Sequence, residues 1–408
     1  MAALKAIVLG AGYRGRAYSE YASAHPDQLE IVGVADPEQA ESICAPRYWN
    51  DWRECLESRP EADIVMITMP DHLHYEPAMM ALRLGYHLLL EKPIAQTEDE
   101  CREVIALAKE MDRLVIVGHI LRHTRYFAHV KAIIDSGELG EVVTINHQES
   151  AGFWKIAHAY CRGIFANSDQ ATPIILAKCS HDFDLFAWWL GRKCLKVASF
   201  GSIKLFKPEN APEGSTARCI DCPESVERDC IWSAKKMYME FDDLRYLFAD
   251  SGYEAMHRVV ANSRYGRCVY RCDNNVPDHQ TVIMEFEGGA TVTHTMTGFT
   301  GRNVRTTRIS LTRGEIIGDG DVLDIRRFDG GDIETGVPAV FRIPNGSRHG
   351  GGDFNLVSDM IRILRRNDPE EIRRTTEEVL QSHVIAFAAE RSRLSGGNVV
   401  EVNAQGGK

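Results

Sequence analysis

The 408-residue chain contains no apolar run long enough to span a bilayer; its longest hydrophobic stretches have the length of strands. It also lacks an excess of basic charge. Lys and Arg number 47 against 58 Asp and Glu, a net charge of −11, which excludes the basic footprint of a nucleic-acid binder. There is no paired cysteine framework: eleven cysteines make an odd count, with Cys44, Cys55, Cys101, Cys161, Cys179 and Cys194 scattered, so they read as reduced thiols. The opening MAALKAIVLGAG runs straight into a strand, without the positive stretch and apolar segment of a secretory signal. Internal repeats and low-complexity segments are missing too. The expectation is an acidic, cytoplasmic protein with neither membrane nor nucleic acid as partner. What is present, 44% hydrophobic and 26% charged residues, is ordinary globular composition over a length that exceeds one core.

The first third alternates short apolar runs with helical periodicity. Strands are expected at 5–9, 30–35, 63–68, 86–90 and 114–118, with helices at 14–24, 76–84 and 97–109 between them. Strands separated by such helices give right-handed crossovers and a mostly parallel sheet. Thr97 followed by Glu100 predicts a capping box. From about Arg125 the pattern changes. A helix at 126–135 ends at Gly137, and strand character follows at 141–149, 195–204, 280–286, 290–297, 306–311 and 314–318. Gly288-Gly289 between two alternating runs predicts a hairpin. Helices at 353–365 and 375–394 close the chain. The fold class is therefore α/β: a Rossmann doubly wound parallel sheet over 1–123, then an α+β domain with a large open, mostly antiparallel sheet over 124–408. Residues 206–233 form a Cys-containing excursion from that second sheet.

VLGAGYRG places Gly10, Gly12 and Gly15 in the G-x-G-x-x-G pattern between a strand and a helix, enclosing Tyr13 and Arg14. An acidic residue, Asp36, ends the next strand about twenty residues on, as a dinucleotide fingerprint requires. The helix N-terminus faces the phosphates, and Asp36 accepts ribose hydroxyls while repelling a 2′-phosphate, which favours NAD over NADP. The alternative is a glycine turn in an unrelated α/β protein, with Asp36 merely capping. Thr68, Pro70, Asp71 and His72 follow the third strand, and Glu91-Lys92-Pro93 follows the fourth. In such sheets, ligands bind at the carboxyl ends of strands. Lys92 is thus set to polarise an oxygen beside the cofactor. Thr68, Pro70 and His72 are candidates to line ribose and nicotinamide. His119 and Arg122, after the last Rossmann strand, are candidates for nicotinamide or substrate. Loop residues satisfying nearby backbone are the competing reading for these.

VLGAGYRG, the run TMPDHLHYEPAMMALRLGYHLLLEKP and the later CSHDFD together resemble the glucose–fructose oxidoreductase/inositol dehydrogenase/MocA (Gfo/Idh/MocA) family, over nearly the whole chain. The resemblance implies NAD(P)-dependent alcohol–carbonyl interconversion on a sugar or cyclitol, and often a dimer or tetramer. It implies that Lys92 is the lysine of the EKP motif and that His181 is the acid/base histidine beside the substrate hydroxyl. Imidazole suits that role near neutral pH. Many relatives carry aspartate four residues before this histidine; here the position is Ala177, followed by Lys178. A second lysine could hold an alkoxide or an anionic group and depress the pKa of Lys92; it could also form a salt bridge. Asp182 is expected to orient His181, to pair with Lys178 or to cap a helix. ESAGFWKIAHAYCRG resembles a subgroup of the family. Its His158 is a candidate second acid/base, its Arg162 a grip for a carboxylate or hydroxyls, and Trp154 and Tyr160 a sugar-stacking face or core.

Cys219-x-x-Cys222 and Cys230, with Cys268 and Cys272 further on, suggest a structural zinc site; without a second clean C-x-x-C, a disulfide or free thiols compete with it. The primary functional expectation is an NAD-dependent sugar oxidoreductase using Lys92, His181 and Lys178, with sugar positioned by Arg162, His158 and Asp182. The rival is a glycoside hydrolase that recycles NAD+ through transient oxidation, elimination, water addition and re-reduction. A catalytically silent NAD sensor would leave Lys92 and His181 idle. A homo-oligomer is expected, because a broad open sheet exposes a face for a partner to cover.

Overall fold

A computed structural model describes residues 2–240, 244, 252–331, 340–342 and 348–402. The N-terminal sheet is six-stranded and wholly parallel: β1 (Leu4–Leu9), β2 (Leu29–Ala35), β3 (Tyr48–Trp49), β4 (Ile64–Ile67), β5 (His87–Leu90) and β6 (Val115–Val117), in the order β3-β2-β1-β4-β5-β6. The pleat sends alternate residues to opposite faces. Ala6 and Val8 face a core with Tyr18 and Ile116, whereas Ile7 and Leu9 face another with Val65, Leu88 and Val104. The strands read as continuous apolar runs because both faces are covered. The helix Tyr13–Ala24 and the capping box of Glu98–Glu110, where Thr97 and Glu100 bond each other's backbone, form as expected.

Among the described residues the second sheet has nine strands: β7 (Val142–Ala151), β8 (Cys194–Ser202), β9 (His279–Phe286), β10 (Thr291–Thr297), β11 (Asn303–Leu311), β12 (Gly314–Gly318), β13 (Val322–Arg327), β14 (Val340–Arg342) and β15 (Val400–Glu401). Their order is β14-β13-β12-β11-β7-β10-β9-β8-β15, and every pairing is antiparallel except β10 with β7. Gly288 and Gly289 turn the β9–β10 hairpin with φ of +82° and +86°. The pair β3 and β15, each two residues long, and the strands β13 and β14 were not expected. The helix Pro369–Leu394 begins nearly two turns before Thr375, with Asp368 as N-cap and a proline in its first turn.

The helix Ile174–Leu190 is the largest departure from the sequence expectation. It is buried on almost every side: Ile174, Ile175, Leu176, Cys179, Phe183, Leu185, Phe186 and Trp189 all lie in the core, and Gly191 ends it at φ +59°. Its polar residues, Ser180, Asp182 and Asp184 among them, are buried together with the apolar ones, so the helix shows no contrast between a core face and a solvent face. It lies against the helix Pro369–Leu394 and across β7 and β10. The chain also returns to its start. Leu356, Val357 and Met360 of the helix Gly352–Arg366 pack into the core of the first sheet. Thr376 and His383 accept hydrogen bonds from the backbone N–H groups of Val115 and Ile94. Among the described residues no helix is long and apolar enough to cross a membrane.

Candidate active site

The glycine turn after β1 has the shape a dinucleotide needs. Gly10 sits at φ +97°, and a Cβ on Gly15 would lie 2.1 Å from the Gly10 carbonyl oxygen, so only glycine lets the helix start this close to the strand. A Cβ on Gly12 would meet nothing within 4 Å, which leaves that face open for a pyrophosphate. Thr68 Oγ1 donates to the Gly10 carbonyl at 2.6 Å and fixes the loop after β4 against the turn. Asp36 Oδ2 accepts from Ala11 N at 2.8 Å, and Oδ1 from Gln39 N at 2.7 Å and Glu38 N at 2.9 Å. The carboxylate is therefore held in place while keeping lone pairs for ribose hydroxyls. Pro70 leads into the short turn Asp71–Leu73, and His72 is exposed on it. The residues fit NAD.

Two expected cofactor contacts instead support the scaffold. Arg14 Nε donates to Glu91 Oε1 at 2.5 Å, Tyr18 donates to the same oxygen at 2.7 Å, and Arg14 Nη2 reaches Asp353 Oδ1 at 2.8 Å. Glu91 Oε2 accepts the backbone N–H of Lys92 at 3.0 Å. Burial works against the Glu91 charge, but Arg14 and Lys92 overcome it and hold the carboxyl below its usual range. Glu91 thus orients the lysine beside it. Tyr13, the first residue of the helix, is half exposed. His74 was not singled out by sequence. It is fully buried, with Nδ1 2.7 Å from Pro93 O and Nε2 2.8 Å from Met69 O, tying together the loops after β4 and β5.

Lys92 Nζ donates to the carbonyl oxygen of Ala177 at 2.9 Å, crossing from the first domain to the helix Ile174–Leu190. His181 lies one turn further along the same helix face. Burial first, and then the charge of Lys92, push the His181 imidazole well below its ordinary pKa. Its Nδ1 is buried without a hydrogen-bond partner. The His119 ring stands edge-on to it with centroids 5.9 Å apart. His119 itself is anchored by Asp184, 3.2 Å from its Nδ1. A neutral imidazole next to an ammonium group is the equipment for taking a proton from a hydroxyl and stabilising the oxyanion left behind.

Strand register builds a charged wall behind this pair. The antiparallel β7–β11 pairing sets Arg305 opposite Glu149, and the parallel β7–β10 pairing sets His294 beside His147. Glu149 forms ion pairs with Lys178 at 2.5 Å and Arg305 at 2.8 Å. Asp182 Oδ1 accepts from Arg305 Nε at 2.5 Å and lies 3.1 Å from His147 Nε2. Burial opposes both charges, yet Arg305, with Lys178 on Glu149, holds the two carboxyls below their usual range. Asp182 therefore neither pairs with Lys178 nor hydrogen-bonds His181. The ammonium group of Lys178 also acts on Lys155, which sequence reading passed over. Lys178 foremost, and then burial, lower the Lys155 pKa to about 7.

Three other expected substrate residues are engaged elsewhere. Arg162 is fully buried: Nε donates to Arg267 O and Nη2 to Trp232 O, each at 2.7 Å, so its fork is spent on backbone. Arg122 Nε donates to Asp184 Oδ2 at 2.7 Å, and its guanidinium lies over Trp188. His158 Nδ1 is 3.0 Å from the Tyr238 hydroxyl and its ring stacks on Tyr265 at 4.7 Å; burial and Arg162 lower its pKa to about 4. Its ring is thus engaged by two tyrosines, Tyr238 and Tyr265. Tyr160 is buried within the field of Glu149 and Arg305, and Trp154 packs partly buried beside Gly152 against the hydrophobic core that covers the nine-stranded sheet.

All eleven cysteines are free thiols. Among the described residues the one trio of potential ligand atoms within 4.8 Å of one another is Cys179, Asp182 and His294, and the Cys219, Cys222 and Cys230 thiols, weighed above between zinc, a disulfide and free thiols, do not gather as a ligand set. Cys219 instead lies against Arg162, 3.8 Å from Nη2. Asp182 in the gathered trio already carries Arg305 and His147, which leaves no carboxylate for a cation.

A glycine turn shaped for a dinucleotide, joined to a lysine and a neutral histidine at the carboxyl edge of its sheet, defines an NAD-binding oxidoreductase of two-domain architecture. The profile described as oxidoreductase family, NAD-binding Rossmann fold, matches residues 4–119, and that of the same family's C-terminal alpha/beta domain matches residues 131–321. The chain belongs to the Gfo/Idh/MocA oxidoreductase family. It is 28% identical over 224 residues to inositol 2-dehydrogenase of Salmonella typhimurium, covering 53% of this chain and 61% of that protein. It is 29% identical over 139 residues to 2,7-anhydro-N-acetylneuraminate hydratase of Escherichia coli, covering 34% and 37%. The matched stretch thus spans little more than a third of some of these relatives. Levoglucosan dehydrogenase in complex with NADH and levoglucosan shares the fold, with a TM-score of 0.70, 18% identity, and coverage of 98% of this chain and 99% of that one. An NAD-binding oxidoreductase from Klebsiella pneumoniae matches with a TM-score of 0.72, 20% identity, and coverage of 99% and 100%.

Proposed function

We propose that the protein interconverts a ring hydroxyl and a ketone on a sugar or polyol. The observation that carries this reading is the convergence of Lys92, from the end of β5, on the helix turn that bears His181. Bound NAD supplies the acceptor or donor of hydride. His181 takes the hydroxyl proton, a role suited to an imidazole that burial and Lys92 keep neutral. Lys92, oriented by Glu91 through its backbone and by Ala177 O through its ammonium group, stabilises the oxygen as it becomes anionic. Lys178 contributes less than its position in sequence suggested, because Glu149 neutralises it. The broad second sheet, with Val143, Phe200 and Ile283 exposed on its strands, supports a homo-oligomer.

The rival reading, a redox-cycling glycoside hydrolase, drew on His158 and Lys178 as extra proton-transfer groups. Their engagement with Tyr238 and Glu149 favours the simple oxidoreductase. The deciding measurement is NADH formed per product molecule on free sugars and aryl glycosides with added NAD+. NADH in step with a keto-sugar supports the oxidoreductase; aglycone release with no net NADH refutes it. Lys92→Ala is expected to lower kcat on the order of a hundredfold or more while NAD binding persists. Unchanged turnover would remove Lys92 from the chemistry.

A further inference from the structure

The helix Ile174–Leu190 presents Ala177, His181 and Asp184 in one row toward the first domain. Ala177 O receives Lys92, the His181 ring meets that of His119, and Asp184 meets both His119 and Arg122. His181 is part-exposed, so a sugar can reach its outer edge, yet its Nδ1 is enclosed by protein without a hydrogen-bond partner. The ring packed against it is that of His119, with centroids 5.9 Å apart and planes at 75°. His119 follows β6, opens the turn Ile120–His123, and is 2% exposed. Neither of its nitrogens is committed to a strong hydrogen bond. Nδ1 stands 3.2 Å from Asp184 Oδ1 but off the line of a hydrogen bond, and Nε2 is 3.5 Å from the Ser382 hydroxyl. His383, 5.4 Å from it between centroids, is locked instead. Its Nε2 accepts the Ile94 N–H at 2.9 Å, so its proton sits on Nδ1, and a second one would break that bond. On the other side, His119 lines a cavity of about 460 Å³ together with Arg122, His123, Asp359 and Glu378, and His181 does not line it. The Asp359 and Glu378 side chains are 36% and 44% exposed, so this polar space reaches solvent.

We infer that His119 carries the reaction proton from His181 to this cavity while the sugar is still bound. This rests on the sugar-oxidation reading above. A bound sugar covers the outer edge of His181, and the only way out is then through the inner nitrogen. In the oxidation direction the hydroxyl O–H bond breaks as an N–H bond forms on the outer nitrogen of His181. The hydrogen on the same carbon leaves with its electron pair to the nicotinamide, so the alcohol is oxidised and NAD+ reduced. The inner N–H of His181 gives its proton to His119, across a gap that one bridging water spans, and His119 passes it to water in the cavity. The His181 tautomer is restored through the open cleft once the ketone leaves. Asp184 stabilises the cationic His119 ring in passing. The other charged or titratable groups around His119 are Arg122 and His123 of its own turn, Glu378 and His383 of the last helix, and Lys92 beyond His181. His119 is thus a positioning residue that acts through His181 and does not touch the sugar.

The test follows one turnover by stopped flow in dilute buffer, using the sugar that yields NADH in the panel above. NADH absorbance reports hydride transfer, and an indicator dye reports protons reaching the solvent. In the parent protein the proton is expected with NADH, ahead of ketone release; a proton that appears only when the ketone leaves overturns the inference without any variant. His119→Phe keeps a ring against His181 and removes the proton carrier. It should still form NADH in the first turnover, release the proton late, and lower kcat about tenfold. His119→Ala should behave alike and be rescued by added imidazole. Pyrazole, of the same size but a far weaker base, should not rescue it. A merely structural role predicts no lag in the proton and no difference between the two additives. Proton release in step with NADH in both variants, or equal rescue by pyrazole, would overturn the relay and leave the oxidoreductase reading standing. No NADH from any sugar in the parent would refute the oxidoreductase reading, and the relay would fall with it.

Discussion

Arg162 separates what its sequence context suggested from what its surroundings require. The sequence made it a candidate grip on the substrate; in the structure its guanidinium is fully buried and donates to the carbonyl oxygens of Arg267 and Trp232, both at 2.7 Å. Its own carbonyl accepts from Arg264 Nε at 2.7 Å and Arg267 Nη2 at 3.2 Å. Arg162→Met keeps the volume and backbone but strands the buried Trp232 carbonyl and leaves the part-buried Arg267 carbonyl only the Cys219 thiol at 3.9 Å. A stranded buried group costs about 1–3 kcal/mol, so the loss should be at least of that order. The prediction is a clear fall in the urea midpoint, measured by intrinsic fluorescence, because Trp232 reports on this region. Residual folded enzyme in the cold should show a substrate KM close to that of the parent. An unchanged midpoint together with a KM raised tenfold or more would refute the reasoning and restore Arg162 to the substrate.

Gly15→Ala should abolish NAD binding and cost about 1–3 kcal/mol of stability, since its Cβ would stand 2.1 Å from a backbone oxygen; cofactor fluorescence titration and a melting curve check both. Asp36→Asn removes the charge that repels a 2′-phosphate. The ratio of NADP to NAD affinity should rise about tenfold, and an unchanged ratio would show that Asp36 does not face the ribose. Because burial and Lys92 lower the His181 pKa, the neutral base persists below the ordinary histidine range. In the oxidation direction, kcat at saturating substrate should therefore stay flat from pH 7 to 6, where an unperturbed imidazole would already lose more than half its base form. A histidine limb near pH 6.5 that vanishes in His181→Asn would contradict this.

The sequence alone determined the features whose physics is local. The parallel strands are continuous apolar runs, Gly10, Gly12 and Gly15 satisfy a steric demand visible in a few residues, and Thr97 with Glu100 caps a helix within one turn. Lys92 was legible because it follows the apolar run of β5, whereas His181 was legible only through the family resemblance carried by CSHDFD. The helix Ile174–Leu190 was not legible, since burial on all sides removes the periodicity that marks a helix. Tertiary structure alone decided the pairings. Glu149 meets Arg305 because β11 runs antiparallel to β7 in one register, and a slip of one residue would send Arg305 to the opposite face. The same Glu149 neutralises Lys178, a pairing that composition and spacing do not contain. Arg162 and His158 have the side chains of a binding site, yet Tyr238, Tyr265 and two backbone carbonyls reach them first from distant parts of the chain. Chemistry can be nominated by residue type, but whether a group is free to perform it depends on partners that only the folded chain brings near.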